Sequence, residues 1–145
     1  MEEFKTISLL LSHQMKIYNE LLGLENAKTR ILLEGKAQEL DTILNEEQSL
    51  IMKSENLENE RRALQDEKGF GEMSLRQIID RYPESREAGL DRQFCELGRL
   101  IAKLKKANGL NKRLVEARLA TMRRFSQENG GETNRLTYNK EGILI

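Results

Sequence analysis

The residues that could carry chemistry are the carboxylate pairs Glu46-Glu47 and Glu58/Glu60, the single Cys95, the single His13, and the glycine pair of Gly69-Phe70-Gly71. None completes a reactive set. General acid–base catalysis needs a cleft that drives two carboxyl pKa values apart, and a helix of surface charges supplies none. The chain is therefore not expected to be an enzyme. One histidine and one cysteine leave no zinc ligand set, no imidazole relay and no internal disulfide. Gly69-Phe70-Gly71 is too short for a phosphate loop and lacks the Lys-Ser/Thr ending. No cofactor and no metal are expected. Cys95, beside Phe94, reads as a small buried hydrophobe, and His13 as a partly buried flank of a helical stripe.

Polar residues inside apolar patterns are more telling. Asn108 and Asn111 occupy two successive seam positions of a long helical segment, and Glu47, Ser54 and Arg61 recur every seven residues in another. A buried polar group costs free energy unless it is paired, so such positions fix register or mark incomplete packing. A register device is the plain reading. The alternative leaves the stretch from Leu104 to Phe125 partly uncovered, as a Leu, Val, Met and Phe stripe open to amphipathic helices of another protein.

The elements that carry these positions are helices. Valine and proline occur once each and tryptophan never, against 23 leucines and ten isoleucines. That composition, rich also in Glu, Lys, Arg and Gln, favours helix over strand. The expected fold is all-α: an elongated antiparallel hairpin plus a long third helix, a three-helix coiled-coil-like bundle with a short connecting helix. In 145 residues this makes one helical domain, 1–128, and a flexible tail, 129–145. The helices are expected at about 3–34, 36–68, 74–81 and 84–127. Gly35 suits a left-handed C′ cap, Ser74 an N-cap, and Tyr82-Pro83 a stop followed by a first turn. A last helix of such length spans roughly 65 Å and overhangs the hairpin. No apolar run exceeds three residues, as in Leu9-Leu10-Leu11, and a bilayer needs about 20. With Met1-Glu2-Glu3 acidic where a signal peptide would be basic, a cytosolic protein is expected.

The net charge of zero hides an asymmetry. Residues 1–70 hold 9 Lys/Arg and 14 Asp/Glu, whereas residues 71–145 hold 15 and 10. Nine basic residues and one acid, Glu116, lie between Arg99 and Arg124. The basic helix is expected to face its own acidic hairpin, with the excess solvated. An acidic protein partner and nucleic acid are the alternatives, but no aromatic residue alternates with these charges to stack bases.

At this point the chain resembles the FlgN class of flagellar type III export chaperones. The resemblance runs through Leu33-Glu34-Gly35-Lys36, Leu40 and Leu44, then Glu46-Glu47, Leu50-Ile51, Glu58 and Arg61-Arg62-Ala63-Leu64, a helix–Gly–helix pattern. It is sharper in the paired-asparagine segment Asn108-Gly109-Leu110-Asn111-Lys112-Arg113-Leu114-Val115-Glu116, and Tyr138 with Gly142 resembles the family's tyrosine-containing tail. The resemblance implies a small cytosolic chaperone that binds the C-terminal region of the hook–filament junction proteins, of FlgK and FlgL type. It would keep them export-competent and pass them to the cytosolic domain of the gate protein FlhA. Carried onto this chain, the client surface is Leu104, Asn108, Asn111, Val115, Met122 and Phe125, and the gate-docking residue is Tyr138. A homodimeric coiled-coil adaptor without a client is the structural alternative, and a basic-helix nucleic-acid binder ranks last.

Overall fold

The computed structural model describes residues 2–129, and every regular element among them is helical. In chain order these are α1 (Glu2–Glu34), a 3-10 turn (Ala37–Glu39), α2 (Leu40–Glu67), α3 (Leu75–Arg81), α4 (Glu84–Glu87) and α5 (Leu90–Asn129). The expected tail lies outside the described residues, apart from Asn129.

Helix α1 is the axis of the molecule. Its buried positions Phe4, Ile7, Leu11, Gln14, Ile17, Leu21, Glu25, Lys28 and Leu32 recur every three or four residues along all 33 of its residues. Helix α2 returns antiparallel to it: Leu40 packs on Leu32 at one end, and Phe70, just past α2, stacks on Phe4 at the other. Helix α5 runs parallel to α1, as the pairs Gln93–Ser8, Asn111–Glu25 and Arg118–Gly35 show. Both α2 and α5 are packed along α1, whereas their own backbones hardly approach each other. The layout is therefore a central helix with a neighbour on each of two sides.

The turn between α1 and α2 depends on Gly35, whose φ of +73° is the left-handed conformation that glycine adopts without a Cβ clash. The chain then makes a 3-10 turn before α2 begins at Leu40, later than the expected start at Lys36. At the opposite end, Phe4, Phe70 and Tyr82 form an aromatic trio with centroids 5.1–5.9 Å apart. Helix α3 is held there by a reciprocal capping box between Ser74 and Gln77 and buries Leu75, Ile78 and Ile79. This base joins α2 to α5 across one end of the bundle.

One expectation is corrected here. The helix predicted over 84–127 is two helices, because Gly89 adopts φ +85° and breaks the chain between α4 and α5. Gly89 is thus a turn residue and not a helical one. The break re-aims the chain so that Leu90, fully buried, enters the base core with Ile7 and Ile78. Helix α5 is 40 residues long, or roughly 60 Å at 1.5 Å per residue. Arg118 Nη2 donates to the Gly35 carbonyl at 3.3 Å, so the last turns of α5 run on past the hairpin.

Candidate functional site

Midway along the bundle the α1 seam stops being apolar. Lys28 Nζ lies 2.9 Å from a carboxylate oxygen of Glu25 and 2.9 Å from one of Glu47, and all three side chains are almost fully buried. From α5, Asn111 Nδ2 donates to the Glu25 carboxylate at 2.7 Å and to the Glu25 main-chain carbonyl at 2.8 Å. Thr29 Oγ1 lies 2.6 Å from Asn111 Oδ1. One polar cluster therefore joins α1, α2 and α5. It holds two carboxylates against one ammonium, and burial pushes the Glu47 carboxyl up to about 7. The Lys28 charge opposes that rise and the Glu25 charge adds to it.

Glu47 and Asn111 were legible as polar seam positions. Glu25, Lys28 and Gln14 were not, although they continue the same three-four spacing through Leu11, Leu21 and Leu32. The three-four spacing of α1 runs through these polar residues as that of α2 runs through Glu47 and Ser54.

Both α2 and α5 lie along α1 with their backbones apart, and a trough opens between them. Its floor is Tyr18, Leu21 and Glu25; Ile51, Ser54, Glu55 and Glu58 form one wall, and Ile101, Leu104, Lys105 and Asn108 the other. This part encloses about 330 Å³ and leads directly, past Tyr18, Glu58 and Ile101, into a second cavity that ends at Leu75, Phe94 and Leu97. Apart from the buried Glu25 the trough is apolar along its floor, and it carries charge at its rim. Arg61, half-buried on the α2 wall, donates to Gln65 at 2.6 Å and lies 3.8 Å from Glu58.

The candidate surface residues separate into three groups. Leu104 and Asn108 line the trough, half-buried and reachable. Met122 and Phe125 lie on the overhanging end of α5, Met122 half-buried and Phe125 65% exposed. Asn111 and Val115 are seated inside the bundle, at 2% and 0% exposure. Val115 packs on Leu32 and Leu40, and Asn111 belongs to the charge cluster. The resemblance places both on the client surface, whereas in this structure both side chains are closed in. Their seam spacing is real, but the hairpin covers this stretch of α5. Tyr138 lies outside the described residues. Cys95 and His13, expected to be buried or partly so, are exposed; each lies next to a seam residue on the side that turns away from the core. The basic residues of α5 were expected to face the acidic hairpin, yet none of Arg99, Lys103, Lys106 or Arg113 enters an ion pair among the described residues.

Among the described residues no group of His, Cys, Asp and Glu is arranged to hold a metal ion. No helix there is long and apolar enough to cross a membrane. The described residues define an all-α protein with an open trough between two of its helices. The family model described as FlgN protein matches residues 1–144, and the chain belongs to that family of flagellar export chaperones. No curated protein and no solved structure matches it. Membership brings with it the binding of flagellar export substrates.

Proposed function

We propose that the trough between α2 and α5 receives an amphipathic helix from the C-terminal region of a hook–filament junction protein, of FlgK or FlgL type. The observation that carries this reading is that both helices pack on α1 while their own backbones hardly approach each other. An apolar lining at Tyr18, Leu21, Ile101 and Leu104 is left without a covering helix among the described residues. A client helix laid there completes a four-helix bundle and removes its own apolar face from water, at about 25 cal/mol per Å² before ordering costs. Met122 and Phe125 extend the apolar contact along the overhang of α5. The loaded chaperone then delivers its client to the cytosolic domain of FlhA, with Tyr138 as the docking residue. The protein acts by stoichiometric binding in the cytosol, as one helical domain over 1–128 with a C-terminal tail.

The test mixes the purified protein with the C-terminal segment of a junction protein and reads the eluted mass by chromatography with light scattering. A discrete complex is expected, lost in Ile101→Asp and weakened in Phe125→Asp while circular dichroism stays unchanged. A tight homodimer that ignores the segment would overturn this reading in favour of an adaptor whose trough is filled by its own copy. Tyr138→Ala is expected to keep the complex and impair secretion of the client; unimpaired secretion would remove Tyr138 from the docking role.

A further inference from the structure

A second surface lies on α5, turned away from the client trough. Arg99, Lys103, Lys106, Leu110 and Arg113 follow one another at spacings of four, three, four and three, all on one stripe of α5. Lys103, Lys106, Leu110 and Arg113 border a shallow trough whose other bank is Leu22, Asn26 and Thr29 of α1. That bank is uncharged. Between Glu20 and Glu34 the one acid of α1 is Glu25, which is buried and already engaged by Lys28 and Asn111. No ion pair among the described residues includes these cations, and Glu20 and Glu96 line the adjoining stretch beyond the Arg99 end of the row.

Two features select the occupant. The row of cations calls for carboxylates at matching helical spacing, since opposite charges across an interface steer encounter and set register. The apolar side chains within the row, Leu110 at 40% exposure with Leu22 facing it, call for an apolar stripe between those carboxylates. A phosphate backbone supplies the charge and not the stripe. We infer that this trough docks an acidic amphipathic helix of a partner protein other than the client, on a surface separate from the α2–α5 trough, so that both are held at once.

The probe is a fluorescent synthetic helix of about three heptads, with leucine on one face and glutamate flanking it. Its counterpart carries lysine in place of glutamate. The full-length protein is expected to bind the acidic peptide, less tightly as salt rises, and to ignore the basic one. Lys103→Glu combined with Lys106→Glu is expected to weaken binding roughly tenfold or more, and Leu110→Gln to weaken it as well, all at exposed positions where helicity is unchanged. Glu55→Lys, on the client trough, is expected to leave this binding intact, and a bound junction-protein segment is not expected to displace the peptide. Failure to bind the acidic peptide by protein that still binds the junction segment overturns the inference and spares the client reading. Duplex DNA that competes with the peptide and depends on Lys103 and Lys106 but not on Leu110 overturns it in favour of nucleic acid. A homodimer that dissociates on the double charge reversal overturns it in favour of a second copy.

Discussion

Lys28 of α1 and Glu47 of α2 meet at 2.9 Å with both side chains withdrawn from water. Glu25 shares the same ammonium at 2.9 Å and passes the connection to Asn111 of α5 at 2.7 Å. The pairing ties three helices at one level. A slip of either outer helix by one turn would leave a charge buried without its partner, and that cost fixes the register more sharply than leucine packing does.

Lys28→Met is therefore expected to be costly, because it strands two carboxylates in the core. A loss of roughly 3–5 kcal/mol is expected, read from the shift in urea unfolding. Replacing Glu25, Lys28 and Glu47 together with apolar residues is expected to recover most of that loss. An equally large loss in the triple variant would show that packing volume, not charge, governs this level.

The Glu47 carboxyl also sets a pH dependence. Its folded pKa, about 7, lies above the ordinary value of 4.5, so between those values the folded state binds more protons than the unfolded one. Stability from this group is fully present below pH 4.5 and is lost as pH rises through 7. Glu47→Gln removes the dependence. Wild type is expected to lose stability relative to that variant as pH rises across this window, measured by denaturant unfolding at matched pH. A parallel course for the two proteins would reject the assignment.

Val115 and Phe125 lie on the same helix and should behave oppositely. Val115→Asp places a carboxylate against Leu32 and Leu40 with no partner, and is expected to abolish cooperative unfolding or lower it by several kcal/mol, roughly 3 or more. Phe125→Asp, at a position 65% exposed, is expected to change stability by less than about 1 kcal/mol. Thermal unfolding by circular dichroism separates them.

Gly89 offers a test of the break before α5. Its φ of +85° is strained for any residue with a Cβ, so Gly89→Ala is expected to cost about 1–2 kcal/mol. The same change at Gly98, inside α5 with open space around it, is expected to stabilise by up to about 1 kcal/mol. Denaturant midpoints of the two variants give the comparison.

Much of this fold is written in local chemistry. The leucine-rich composition, the glycine at 35, the Ser74 cap and the Tyr82-Pro83 stop each act within a few residues, so helix class and most boundaries were legible without coordinates. Gly89 was missed because glycine within a helical pattern carries no local sign of which way its φ will turn.

The candidate site divides along the same line. Periodicity identified Leu104, Asn108, Asn111 and Val115 as one seam of α5. It could not tell which part of that seam the hairpin covers. Only the packing of α2 and α5 on either side of α1 decided that Asn111 and Val115 are closed in while Leu104 and Asn108 line a trough. Charge behaved alike. The sequence by itself determined that α5 is basic and the hairpin acidic, but pairing depends on which stripes face each other. The parallel seating of α5 on α1 turns Lys103, Lys106 and Arg113 toward an uncharged bank, while the buried polar positions close on Lys28. Helix formation is a matter of neighbours in sequence, and the meeting of stripes is a matter of how three axes cross.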